Sequence, residues 1–218
     1  MNQTEIEQAR FNMIEQQIRP WDVLDQRVLD VMNSIPREQF VPENCRSLAF
    51  ADTSIPLGHG QVMMAPKLEG RLLQALAIRP DDTVLEIGTG SGYLTACLAS
   101  LGRHVTSIDI MPDFTATAGA KLEALNINNV TLETADVTAG IEGDARYDAI
   151  AVTGSLPLLQ QQFHRNLEIG GRLFIITGSL PIMEANLITR IDEHNWATEV
   201  LLETCMPTLL HATRPQEF

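Results

Sequence analysis

Residues 84–93 read Val84-Leu85-Glu86-Ile87-Gly88-Thr89-Gly90-Ser91-Gly92-Tyr93. A β-favouring run leads straight into three glycines spaced two apart, and an apolar stretch suited to a helix follows. Glycine lets the backbone bend sharply and approach a ligand closely, while a helix start presents free N–H groups. A strand, Gly-rich turn and helix in this order predict an open α/β sheet. Its ligand then lies at the carboxyl ends of the strands, near the switch point.

The residues around the turn narrow the ligand. A dinucleotide fingerprint places its third glycine three residues after the second, where this chain has Tyr93, and a P-loop needs a lysine that is absent. Glu86, two residues before the first glycine, would repel a pyrophosphate but suits a cationic ammonium or sulfonium. Asp109 follows Gly88 by 21 positions and ends the second strand, where an acid accepts from ribose hydroxyls. Ile110 beside it covers one face of an adenine. Asp136 and Val137 follow the third strand, the acid for the adenine amino group and the valine for the other face. With Gly88, Thr89, Gly90 and Gly92 of the turn, these residues point to S-adenosylmethionine, leaving as S-adenosylhomocysteine.

Outward from the motif, helix and strand patterns alternate. Helices are expected over residues 68–76, 94–101, 115–125 and 158–167, the last ending near Gly170-Gly171. Strands are expected over 83–87, 104–108, 130–134, 147–152 and 172–177, with two or three more between 187 and 210, including an antiparallel edge pair. This is the pattern of a Rossmann-like, doubly wound, mostly parallel sheet. Ahead of it, residues 4–18 read as a helix stopped by Pro20. Asp22 then caps a second helix that Pro36 closes. Residues 40–61 read as a long loop that packs on something. We therefore expect an N-terminal helical and substrate-loop subdomain over residues 1–66 and a cofactor-binding domain over 67–218.

Bulk properties exclude several classes. The 218 residues are 44% hydrophobic, enough for one well-buried core, and carry a net charge of −13. Without a dense Lys/Arg stripe, that charge argues against a nucleic-acid partner. Cys45, Cys97 and Cys205 are far apart and lack the pairing of a metal site. The polar start differs from a signal peptide, and no apolar run is long enough to span a bilayer. A cytoplasmic enzyme without membrane attachment, monomeric or homodimeric, is the expectation.

Over roughly residues 25–180 the chain resembles the protein-L-isoaspartate O-methyltransferase family of class I methyltransferases. Residues 35–42 resemble its "VPREKFVP", residues 49–60 its "AYxDxxLPIGxG", residues 84–93 its "VLEIGTGSGY", and residues 151–153 its "VTAA". The resemblance implies methylation of the side-chain carboxylate of isoaspartyl residues in damaged proteins, with Glu86, Gly88, Asp109, Asp136 and Val137 binding cofactor.

One departure bears on the acceptor. The family loop "GQTISQP" is here Gly60-Gln61-Val62-Met63-Met64-Ala65-Pro66, so Val62 and Met64 replace its Thr and Ser. An ionised carboxylate needs no general base, only alignment with the methyl group. Loss of an orienting hydroxyl costs about 1–3 kcal/mol in a buried site, a rate deficit and not necessarily an abolition. The remaining polar candidates are Thr53, Ser54, His59 and Gln61, with Met64 standing at the family serine. The alternatives are a less polar small-molecule acceptor, or cofactor binding without isoaspartyl turnover.

Overall fold

In the computed structural model, which describes residues 2–138, 141, 145–159 and 161–213, the chain opens with helix α1 (Gln3–Met13). Asn2 starts it through a capping box, its side chain accepting from the Glu5 N–H while the Glu5 carboxylate accepts from the Asn2 N–H. A π turn (Ile14–Ile18) and a 3₁₀ turn (Arg19–Trp21) carry the chain to α2 (Gln26–Ser34). Strands β1 (Ile55–Gly58) and β2 (Gln61–Met63) form a hairpin, and α3 (Pro66–Leu76) follows.

The main sheet is built around β3 (Thr83–Ile87). Parallel strands β4 (His104–Asp109) and β5 (Val130–Thr134) extend it on one side, and β6 (Tyr147–Leu156) and β7 (Leu167–Ser179) on the other. Antiparallel β8 (Ile182–Arg190) and β9 (Trp196–Thr204) complete the order β5-β4-β3-β6-β7-β8-β9. Helices α4 (Tyr93–Leu101), α5 (Pro112–Ala124) and α6 (Gln161–Arg165) join the strands. The chain leaves β3 toward β4 and β5, then crosses back to β6, which puts the switch point beside the Gly-rich turn. This is the doubly wound, mostly parallel sheet with an antiparallel edge that the pattern predicts.

Period-two alternation divides the core between the two sheet faces. Val84, Ala149, Ala151, Phe174 and Ile176 belong to one cluster, Leu85, Ile87, Ile150, Val152, Leu173 and Ile175 to the other. The first cluster also takes Met13, Ile18, Leu29, Met32, Phe40, Met63 and Met64, so the N-terminal segment shares its core with α3, α4 and the sheet. Among the described residues, no helix is long and apolar enough to cross a membrane.

Several local expectations give way. Asp22 does not cap α2; it sits in the left-handed region (φ 58°) and closes the 3₁₀ turn, while the Asp25 side chain accepts from the Arg27 N–H. The supposed loop at residues 40–61 contains one 3₁₀ segment (Glu43–Leu48) and β1. His59 (φ 52°) and Gly60 (φ 72°) join β1 to β2, two left-handed positions matching the twist of a tight hairpin. Gly170-Gly171 do not end a helix but lie within β7, because α6 is short and the strand begins at Leu167.

Candidate active site

A cavity opens at the carboxyl ends of β3, β4, β5 and β6. Its floor is the turn after β3. Gly88 (φ 97°) is held by its N–H on the Ile108 carbonyl at 2.7 Å, and an added Cβ would stand 2.2 Å from the Thr153 hydroxyl oxygen. The Gly90 N–H donates to Asp109 Oδ2 at 2.9 Å, and the Met111 N–H donates to its Oδ1 at 2.9 Å. Asp109 thus fixes the turn from the neighbouring strand. Gly88, Thr89 and Gly90 line the cavity, and Gly92 does not. Gly92 starts α4 at φ 83°, where a Cβ would press on Ala118 at 2.8 Å, so its smallness serves the packing of α4 on α5.

Glu86 lies on the β3 face that carries α4, fully buried. Its Oε2 accepts from the hydroxyls of Thr95 and Ser107. Ser107 spends its proton there, so Thr89 donates to Ser107 at 2.7 Å and a Thr89–Ser107–Glu86 relay holds the carboxylate. The other oxygen, Oε1, is buried and has no partner among the described residues. Burial pushes the carboxyl up to about 8. A buried acceptor left unpaired costs about 1–3 kcal/mol, which a cationic donor entering the cavity recovers. The ammonium group of S-adenosylmethionine fits that requirement.

The other expected cofactor contacts converge on the same space. Asp109, Ile110, Asp136 and Val137 all line the cavity from the ends of β4 and β5. Asp136 is more engaged than its sequence position suggests. Its Oδ1 accepts from the Thr138 N–H and hydroxyl, and its Oδ2 pairs with His211 Nδ1 at 2.6 Å. Those bonds hold the carboxyl down at about 2.

The acceptor side is formed by residues 61–64 and by residues 206–210 from far along the chain. Gln61, Val62 and Met64 line it as expected, and the Gln61 amide has no hydrogen-bond partner among the described residues. Thr53 and His59 do not reach the cavity. The Thr53 hydroxyl makes only a 3.4 Å contact with the Ser54 carbonyl in an exposed turn. His59 Nε2 pairs with Asp113 Oδ2 at 3.0 Å and its ring meets Phe114 edge-on, which fastens the hairpin tip to α5.

Two groups went unread in the sequence. Arg37, fully buried, donates from Nε to the Ala49 carbonyl (2.8 Å), from Nη2 to the Met64 carbonyl (2.7 Å) and from Nη1 to the Glu69 carboxylate. Its guanidinium also lies 4.7 Å from the centre of the Tyr93 ring. Glu69 lines the cavity, and burial raises its carboxyl to about 7 against the pull of Arg37. A signal existed: Glu69 begins the i, i+3, i+4, i+7 stripe completed by Leu72, Leu73 and Leu76, where a charge needs a buried partner.

The family described as protein-L-isoaspartate(D-aspartate) O-methyltransferase matches residues 8–209. The chain belongs to that family. Protein-L-isoaspartate O-methyltransferase 1 of Rhodopseudomonas palustris is 41% identical over 170 residues, covering 78% of this chain and 69% of the relative. A second Rhodopseudomonas palustris protein-L-isoaspartate O-methyltransferase is 36% identical over 201 residues, covering 92% of each chain. Among solved structures, the Plasmodium falciparum member in complex with S-adenosyl-L-homocysteine superimposes with a TM-score of 0.78. That match covers 94% of this chain and 97% of the other at 20% identity, a likeness of fold.

Proposed function

We propose that the protein is an S-adenosylmethionine-dependent methyltransferase acting on the side-chain carboxylate of isoaspartyl residues in damaged cytoplasmic proteins. The observation that carries the reading is the buried, half-satisfied Glu86 carboxylate beneath the Gly-rich turn, in a chain of this family. When bound, the cofactor supplies an electrophilic methyl group on a cationic sulfur. Glu86 Oε1 would hold its ammonium, Asp109 would accept from its ribose hydroxyls, Ile110 and Val137 would cover its adenine, and Asp136 would take the adenine amino group.

The chain contributes alignment and exclusion of water on the acceptor side. An acceptor carboxylate is ionised at pH 7 and needs no base. Among the described residues, the cavity lining contains no Lys, Arg or His, so the sulfonium itself complements the acceptor's charge. The Gln61 amide orients that carboxylate, in place of the hydroxyls absent at Val62 and Met64. Incubation of an isoaspartyl peptide with methyl-labelled cofactor tests this: label in the peptide is expected, and none, with cofactor bound, overturns it. A second reading rests on the apolar side chains of Val62 and Met64 and takes a less polar small molecule as acceptor. Label in a small metabolite but in no peptide selects it.

A further inference from the structure

The last cavity wall is a strap, residues 206–210, that crosses the end of β6 as a short parallel bridge between Ser155 and Thr208. Its main chain is fixed at both sides of Ser155. The Ser155 N–H donates to the Pro207 carbonyl (3.0 Å), the Leu209 N–H donates to the Ser155 carbonyl (2.9 Å), and the Ser155 hydroxyl donates to the Met206 carbonyl (2.9 Å). Beside it Gly154 leaves a space that the strap fills. A Cβ on Gly154 would stand 2.6 Å from Leu209 Cδ2. Leu209 therefore packs on the bare backbone of Gly154, would have to shift if a Cβ were added there, and lines the cavity.

Val62 and Met64 line the same cavity as Leu209. Leu57, Val62 and Leu209 are only partly buried, so apolar surface remains uncovered where the acceptor enters. Polar groups nearby are already spent: the Thr153 hydroxyl is turned onto the Gly88 carbonyl at 2.7 Å, and that of Ser155 onto the strap.

We infer that Leu209, seated on Gly154, is a specificity-determining residue that selects isoaspartyl sites with an apolar neighbouring side chain. The inference rests on the isoaspartyl reading above. The remaining Gln61 amide can orient one carboxylate, while Leu209, Val62 and Met64 contact the apolar body beside it. An apolar neighbour covers them and gains binding, a polar one leaves them wet, and an acidic one is poorly solvated against them.

Matched isoaspartyl peptides, with Leu, Ser or Asp placed in turn on either side of the isoaspartate, test it through kcat/KM. On one side Leu is expected to exceed Ser about tenfold, with Asp poorest, the range that hydrophobic pockets reach for such differences. Leu209→Ser is expected to shrink the Leu-to-Ser ratio to about threefold or less, and Leu209→Met to keep it. Gly154→Ala, which dislodges the leucine, is expected to lower the same ratio. Because the readout is a ratio within each variant, a loss of folded protein does not mimic it. Equal kcat/KM for all neighbours, or a ratio unmoved by Leu209→Ser, overturns the inference and leaves the isoaspartyl reading intact. Failure of every peptide, with cofactor bound, overturns both.

Discussion

The cofactor half and the acceptor half of the cavity are built in opposite ways. The cofactor half comes from consecutive strand ends, and its shape is set by backbone: Gly88 packed on Thr153, the Gly90 N–H on Asp109, and a relay of hydroxyls under Glu86. The acceptor half is assembled from two distant stretches, at residues 61–64 and 206–210, and its character is set by side chains. The first half tolerates little change because each group already has a partner or waits for one. The second can alter its chemistry while its frame stands.

The largest effect expected from this contrast comes from the waiting group. Glu86→Gln removes the charge opposite the cofactor's ammonium. Truncating one partner of a buried charge pair costs about 2–5 kcal/mol, a fall of roughly thirtyfold or more in affinity. Calorimetry with S-adenosylhomocysteine measures it, and unchanged affinity would remove the basis of the cofactor assignment.

Next in size is the pH dependence of the same group. The Glu86 carboxyl titrates near 8 in the free protein and must be ionised to hold the ammonium. Affinity is therefore expected to rise with pH by up to about tenfold per unit, flattening near pH 8. The sign for stability is the reverse. The folded protein keeps this proton up to about pH 8 while the unfolded chain loses it near 4.5, so the folded state without cofactor loses stability as pH rises between them. Melting curves with and without S-adenosylhomocysteine should diverge as pH rises through this window.

On the acceptor side the effects are smaller. Val62→Thr with Met64→Ser restores two hydroxyls and is expected to raise kcat for an isoaspartyl peptide by about tenfold, within the 1–3 kcal/mol that such hydrogen bonds supply. No gain would mean that the acceptor is held from another wall. His59→Ala should change kcat by about twofold at most, since its pairing with Asp113 is solvent-exposed. A loss of a hundredfold would instead return His59 to the role of general base.

The same contrast decides what could be read from the sequence. That the Gly-rich turn, Glu86, Asp109, Asp136 and Val137 would meet in one cavity was legible because each lies at or near a strand end. Gly92 was misread because its constraint lies across space, against Ala118, although it belongs to the same motif. The strap could not be placed, since nothing in residues 206–210 records that Gly154 and Ser155 receive them. Thr53 and His59 looked available because they are polar and near the acceptor loop in sequence. The hairpin turn carries His59 outward to α5 instead. The hairpin itself was hidden by Pro56 and Gly58 within β1 and by its two turn residues, His59 and Gly60.

Arg37 grips the acceptor loop through the carbonyl of Met64, an atom that every amino acid possesses. Residue 64, like Ala49, can thus change without loss of this grip, whereas Glu69, held by its side chain, cannot: a hydroxyl or thioether can be mounted there on an unmoved main chain. Loops transplanted from relatives should therefore retain their register on this scaffold, making it a ready chassis for methyltransferases with new acceptors.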